Sequence, residues 1–343
     1  MNKKVLVSLP QNVNADEMHL FKPFLSYELP PQKVKRFKNV FVTYSGFCLN
    51  NKGLIKESHH DHPHQIDDYR NEAAHYYYNV IDHPENLITL DDSRVYLLIH
   101  HPWYNYYHWI CECIFRAWMI REIKDTMKLL LPDYYEKSDF IMSSLEPFKF
   151  KNIFFIPAGK SLMVRNLCIP RIKAKVDSYD YMMMAQVKQF YLDYLLAEKI
   201  NDLDFGERIY ISRKKAKRKK VENEEQIECI LLKYNFKILN NEDYTFWEQV
   251  AIYSKAKYLV SIHGSGLTNM LFMKQGSSIL EFHKQKTNDK DWHSKAFWYQ
   301  AEALGYKYYQ QVCEPTDIND DYFNANFIVD PLLLEKNLAL INF

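Results

Sequence analysis

Glycine is scarce in this chain, with 8 among 343 residues, which excludes collagen-like, linker-rich and low-complexity character. A charge of one sign is also missing. The 44 basic and 43 acidic residues nearly cancel, so no global field selects nucleic acid or an anionic membrane. No C-x-x-C occurs, and the six cysteines are scattered; Cys111 and Cys113, two apart on an expected helix, point to different sides. That pattern suits a reducing compartment. No apolar run approaches membrane-spanning length, and the one in MNKKVLVSLPQ is too short for a signal peptide. A cytoplasmic protein is the expectation, with peripheral association at a membrane left open. What is plentiful is apolar and aromatic: 47% hydrophobic residues, 26 tyrosines and 21 phenylalanines, enough for real cores and for ring-lined clefts.

The length allows two domains. Residues 1–100 carry short β-like runs, VFVTY, LITL and VYLLI, in irregular surroundings. Here too lies SHHDHPHQ, with His59, His60, His62 and His64, which reads either as a metal-binding tract or as a solvated loop. From KLLLP, through a helix near residues 138–148, to NIFFIP the chain shows a βαβ rhythm. Residues 177–204 form a long helix linking two halves. From RIYIS to YKYYQQV strands and helices alternate cleanly, the pattern of a doubly wound α/β domain that binds ligands at the carboxyl ends of its strands. The expected division is therefore 1–176, 177–204, 205–312 and an amphipathic tail, 313–343, that packs back on the first domain.

The most informative residues are Asn105, His108, Glu112 and Arg116 in NYYHWICECIFRAWMI. On a regular helix their offsets confine them to an arc of about 80°. The rest of this helix is apolar, with Trp109 beside the stripe, and such a helix is normally buried. Unpaired buried charge is costly, so the stripe points to a cleft. The alternatives are an ordinary i,i+4 pair of Glu112 with Arg116 and a core histidine.

Three motifs follow. In ISRKKAKRKKVENEE, Ser212 and Arg213 end a strand, and seven of the eight residues from 213 to 220 are basic. A solvated loop, a nucleic-acid patch and a phosphate grip compete; the acidic helix start beyond favours Arg213 and Lys214 on phosphate, with the distal lysines at the surface. In YLVSIHGSGLTNMLF, His263, Gly264, Ser265 and Gly266 join a buried strand to a helix whose N-terminus suits an anion, with Thr268 and Asn269 beyond. In SSILEF, Glu281 closes a strand, where it could accept hydrogen bonds from ribose or stand as a surface residue.

Taken together in order, these strings and the upstream NYYHWICECIFRAW resemble glycosyltransferase family 61, over roughly residues 90–310. The upstream string matches that family's N-Y-x-H-W-x-x-E helix. Ile114 and Phe115 stand where the family commonly has Leu-Pro. The resemblance implies a GT-B architecture, two Rossmann-like domains across a cleft, with residues 1–176 on the acceptor side and 205–312 holding a nucleotide-sugar. It implies an inverting enzyme with no cofactor and no metal, using a UDP-sugar donor. The acceptor would be a glycan or lipid-linked oligosaccharide of a bacterial surface polysaccharide. Glu112 is the first candidate for the base and His108 the second, with Asn105, Arg116 and Trp109 contacting substrate. Ser212, Arg213, Lys214, His263, Gly264, Ser265, Gly266, Thr268, Asn269 and Glu281 would hold the nucleotide. A non-catalytic nucleotide- or glycan-binding protein on the same fold is the rival reading. Nucleic acid is not expected, because the net charge is only +1.

Overall fold

A computed structural model describes residues 2–60, 65–171, 177–200, 203–289, 293–341 and 343. The architecture is mixed α/β. The chain divides into two compact units, one of Met1–Lys3 with Leu29–Val176, the other of Lys4–Glu28 with Asp177–Phe343. Among the described residues no helix is long and apolar enough to cross a membrane.

The first unit is built on one mixed sheet. Its strands run in the order Gly53–Leu54, Cys48–Asn50, Lys33–Val42, Ser161–Arg171, Val95–Leu98, Met127–Pro132 and Ile153–Ile156, with Leu87–Leu90 also paired to Ser161–Arg171. The three strands from Val95–Leu98 to Ile153–Ile156 are parallel, whereas Lys33–Val42 runs antiparallel to Ser161–Arg171. Val40, Val42, Leu98, Leu130, Ile156, Leu162 and Ile169 form its core. The central strand, Ser161–Arg171, is one that hydrophobic patterning does not reveal. SLMVRNLCIPR neither alternates nor runs apolar throughout, because Arg165 and Asn166 break it. Both still find partners in the loop before Val95–Leu98, at the carbonyls of residues 91–94.

The second unit carries a parallel sheet ordered Lys237–Leu239, Arg208–Ile211, Tyr258–Ile262, Ser278–Lys284 and Lys307–Pro315, closed by an antiparallel Phe327–Ile328. Numbered by chain position within this unit, the parallel strands stand in the order 2-1-3-4-5. That order places a topological switch point between Arg208–Ile211 and Tyr258–Ile262, where such sheets open a crevice for ligands. Tyr258–Ile262 and Ser278–Lys284 are buried along their whole length, as parallel strands covered on both faces must be. The helix Phe246–Lys255 starts on a capping box in which Thr245 and Glu248 satisfy each other's backbone amides.

Three expected boundaries need correction. Lys4–Glu28 belongs with the second unit, where Asn12 Nδ2 donates to Gln310 O at 2.6 Å and Trp298 Nε1 to Ser8 O at 2.9 Å. The expected linking helix, Tyr181–Ala197, is part of the same unit, with Tyr191 edge-on to Phe246 and Phe272. The tail helix Pro331–Ile341 does not leave for the first domain; Leu334, Leu338 and Ile341 sit in the core shared with Tyr210, Val260 and Leu280. Leu338→Ala should therefore cost about 2–5 kcal/mol in a denaturant melt of this unit. Leu340→Ala, on the exposed side of the same helix, should stay within about 0.5 kcal/mol.

Candidate functional site

In the first unit the helix expected across residues 105–121 comes in three parts. Tyr106–His108 is α, Trp109–Cys113 is a π turn, and Ile114–Met119 is α again. The wider π turn, a feature that often marks functional sites, re-phases the stripe. Asn105 becomes the N-cap, its Oδ1 accepting from His108 N at 3.1 Å. Arg116 turns away from Glu112 and donates to the carbonyls of Glu57, Ile99 and His100 at 3.0–3.4 Å. Trp109 is wholly buried and donates to Ser144 Oγ at 2.8 Å. These three positions were expected to contact substrate; the structure gives Arg116 and Trp109 buried partners that hold the helix in place, and Asn105, which is exposed, a capping role through Oδ1. Ile114 and Phe115, at the family's Leu-Pro positions, are buried and continue the helix.

Glu112 is 3% exposed and gathers imidazoles. His60 Nε2 donates to its Oε2 at 2.6 Å and His108 Nδ1 at 3.0 Å. His101 Nε2 lies 2.7 Å from the same oxygen but makes no hydrogen bond of acceptable angle, although His101 is 1% exposed. Burial holds the His101 ring well below the ordinary histidine pKa, so it is neutral. With Nδ1 on Glu112, His108 presents Nε2 as its remaining nitrogen, in a side chain 14% exposed. His60 comes from the histidine tract, whose His62 and His64 lie outside the described residues. Nothing in the local pattern pairs His60 or His101 with Glu112; both are brought there by the sheet.

In the second unit the switch point joins the ends of two strands. Ser212 is buried beneath the turn, its Oγ accepting from Lys214 N at 3.2 Å. Arg213 is half covered by neighbours; its Nη1 would stand 3.6 Å from a Cβ on Gly264, and its buried Nε has no partner among the described residues. Lys214, expected on phosphate, pairs with Glu228 at 2.6 Å instead. The buried lysine of this basic run is Lys219, assigned to the surface from sequence. It is 5% exposed, in the left-handed backbone region, with Nζ 4.1 Å from the centre of the Tyr322 ring. Burial pushes its pKa down to about 7, with Glu281 opposing the shift and Arg213 adding to it.

His263 and Glu281 form a dyad. His263 Nδ1 donates to Glu281 Oε1 at 2.5 Å, and Tyr308 Oη donates to Oε2 at 2.7 Å. Burial lowers the His263 pKa to about 3, so the ring is neutral and keeps Nε2 as an acceptor. Glu281 itself is 1% exposed and cannot meet a ribose directly, as the sequence had suggested; it orients His263. Since the Tyr308 hydrogen goes to Glu281, its oxygen accepts from His283 Nε2 at 3.0 Å, and His283 Nδ1 accepts from Tyr322 Oη at 3.1 Å. Glu281→Ala would leave the His263 N–H and the Tyr308 O–H buried without an acceptor. The expected cost is about 1–3 kcal/mol for each group, read as a lowered denaturation midpoint.

Ser265–Phe272 is a 3-10 helix where an α-helix was expected, preceded by Gly264 in extended geometry. The Ser265 and Gly266 amides lie in its first turn, where a helix leaves its backbone N–H groups without intrahelical acceptors. A Cβ on Gly266 would press to 2.9 Å from Asn241 Nδ2, so this glycine serves close packing. Thr268 and Asn269 are fully buried, and Asn269 Nδ2 donates to Gln249 Oε1 at 2.9 Å. Asn269 thus ties the turn to the helix Phe246–Lys255.

No curated protein matches the chain. Residues 106–280, just over half of it, match the family model described as Glycosyltransferase 61. The matched segment begins on the helix that bears His108 and Glu112 and ends one residue before Glu281. The chain belongs to glycosyltransferase family 61 and is a glycosyltransferase.

Proposed function

We propose that the chain is an inverting enzyme of GT-B type that moves a sugar from a nucleotide-sugar of the UDP class to a hydroxyl of a glycan or lipid-linked oligosaccharide. In this reading the second unit holds the donor and the first the acceptor. The setting we propose is bacterial surface-polysaccharide synthesis at the cytoplasmic side of a membrane. The absence of a disulfide among the six cysteines, five of them buried, supports a reducing compartment.

The observation that carries the reading is the cationic switch point. Arg213 is drawn out of water against the Gly264 turn and Lys219 under the Tyr322 ring, and neither forms an ion pair with a carboxylate among the described residues. Buried cations that touch no carboxylate are costly, and a diphosphate offsets that cost. They supply positive charge where the departing diphosphate needs it, with no metal required. His263 Nε2, polarised through Glu281, accepts from a ribose or sugar hydroxyl.

At the other reacting end, an acceptor oxygen attacks the anomeric carbon as the bond to the diphosphate oxygen breaks, and that oxygen keeps the electron pair. The acceptor's proton passes to His108 Nε2. Glu112 was the first candidate from sequence, but its Oε2 is enclosed by ring nitrogens, so it orients His108 through Nδ1 and leaves the proton transfer to the imidazole. His108→Ala should lower kcat about 10²–10⁴-fold with little change in donor binding. Near wild-type turnover would remove His108 from this role.

Donor binding is tested by thermal-shift titration with UDP, GDP, CDP and CMP. At 100 times its dissociation constant, the matching nucleotide should stabilise the fold by about 2.7 kcal/mol. Arg213→Ala and Lys219→Met should each abolish that selectivity; equal shifts in wild type and both variants would sink the donor site. pH offers a second check. Lys219 carries its charge below about 7, so affinity for a UDP-sugar, whose own charge is constant here, should be flat below that pH. Above it affinity should fall by up to about tenfold per pH unit, until the bound-state pKa is passed. Lys219→Met should show no such slope.

A further inference from the structure

The first unit holds four ligand-type atoms at one point: His60 Nε2, His101 Nε2, His108 Nδ1 and a Glu112 oxygen, all within 4.8 Å of one another. A carboxylate oxygen offers two lone pairs to hydrogen-bond donors. On Oε2 both are taken, by His60 and by His108. The third imidazole is therefore supernumerary as a donor. His101 Nε2 is buried and aimed into the cluster without a hydrogen bond, a condition that costs about 1–3 kcal/mol when nothing relieves it. Crowding that is excessive for hydrogen bonds is normal for ligands around a cation. Four atoms on an ion at about 2.0–2.1 Å would be separated by roughly 3.4 Å, a modest rearrangement of what is observed.

We propose that His60, His101, His108 and Glu112 form a four-coordinate site for one divalent cation of the zinc class. Three imidazoles and one carboxylate suit Zn²⁺, Co²⁺ or Cu²⁺; Mg²⁺ and Ca²⁺ demand oxygen ligands. As neutral ligands the rings coordinate through these nitrogens and carry hydrogen on the other. His101 thereby gives up the contact of its Nδ1 with Trp103 N, already long at 3.3 Å. Trp103 stacks on His60 at 4.2 Å between centroids and holds that ring in place. Arg116, a fixed charge on the same helix, is held on three carbonyls.

The second unit gathers His263, Glu281 and His283, yet the same argument does not extend to it. There both His283 nitrogens and both Glu281 oxygens are satisfied, and the buried Lys219 opposes a cation.

The site stands or falls independently of the proton-acceptor role given to His108. If both hold, the ion is an inhibitor, because it takes the Nδ1 through which Glu112 orients the ring.

The experiment uses the full chain, stripped with chelator and titrated with Co²⁺, reading visible d–d absorption and metal content after gel filtration. We expect one ion per chain, a visible band displaced by Zn²⁺ but not by Mg²⁺, and a raised melting temperature. His101→Ala and Glu112→Gln should each weaken binding about tenfold or more, by analogy with the loss of metal-site partners. Because His101 is buried, His60→Gln, on a loop, serves as a further variant, with circular dichroism confirming that the metal-free proteins are folded. A wild-type chain that shows no band with excess Co²⁺, or a band of full strength in all the folded variants, would overturn the site.

Discussion

A carboxylate removed from water must be surrounded by donors, and each unit of this protein meets that demand with imidazole. Glu112 and Glu281 are both almost fully buried. Around Glu112 the rings arrive from a loop, from a strand end and from its own helix, so three distant stretches of chain are drawn to one point. Around Glu281 a histidine and a tyrosine from the neighbouring strands fill both oxygens. The consequence is positional. A ring tied at one nitrogen to a buried carboxylate has its tautomer and orientation set, so its other nitrogen is held ready for a ligand.

The two units reach this arrangement through different sheets. In the second, the parallel order 2-1-3-4-5 forces the chain to leave adjacent strands in opposite directions, and the crevice this opens is where Arg213, Lys219 and His263 meet. The cations there are partly buried against the Gly264 turn and the Tyr322 ring, which is what the proposed anion would answer. In the first unit, the helix with His108 and Glu112 follows Val95–Leu98 directly, and His101 lies on the connection. The π turn inside that helix brings Glu112 to His108 while sending Arg116 to backbone carbonyls.

Much of this was legible in the chain. Alternation of apolar runs with amphipathic segments located nearly every strand and helix of the second unit, because parallel strands covered on both faces are continuous apolar runs. The His108–Glu112 pair and the His263–Gly264 turn stood out because each is local, within a few residues. Other roles were misread. Trp109 and Asn269 looked like contacts but are structural, since a polar atom in a motif says nothing of which neighbour claims it. Lys214 and Lys219 are equal in a basic run; only the left-handed backbone at Lys219 and the ion pair of Lys214 with Glu228 separate them. The strand Ser161–Arg171 was missed because its polar residues find partners far away in sequence.

What the sequence determined by itself is the family, the α/β character and the short-range pairs, all carried by residues near one another along the chain. The tertiary structure alone decided that His60 and His101 reach Glu112, that Lys219 goes inside, and that Glu281 acts beneath His263. It decided also that the tail joins the second unit's core. Each of these depends on contacts between segments tens to hundreds of residues apart, and on which side chain wins a buried partner, a competition that periodicity and spacing do not record.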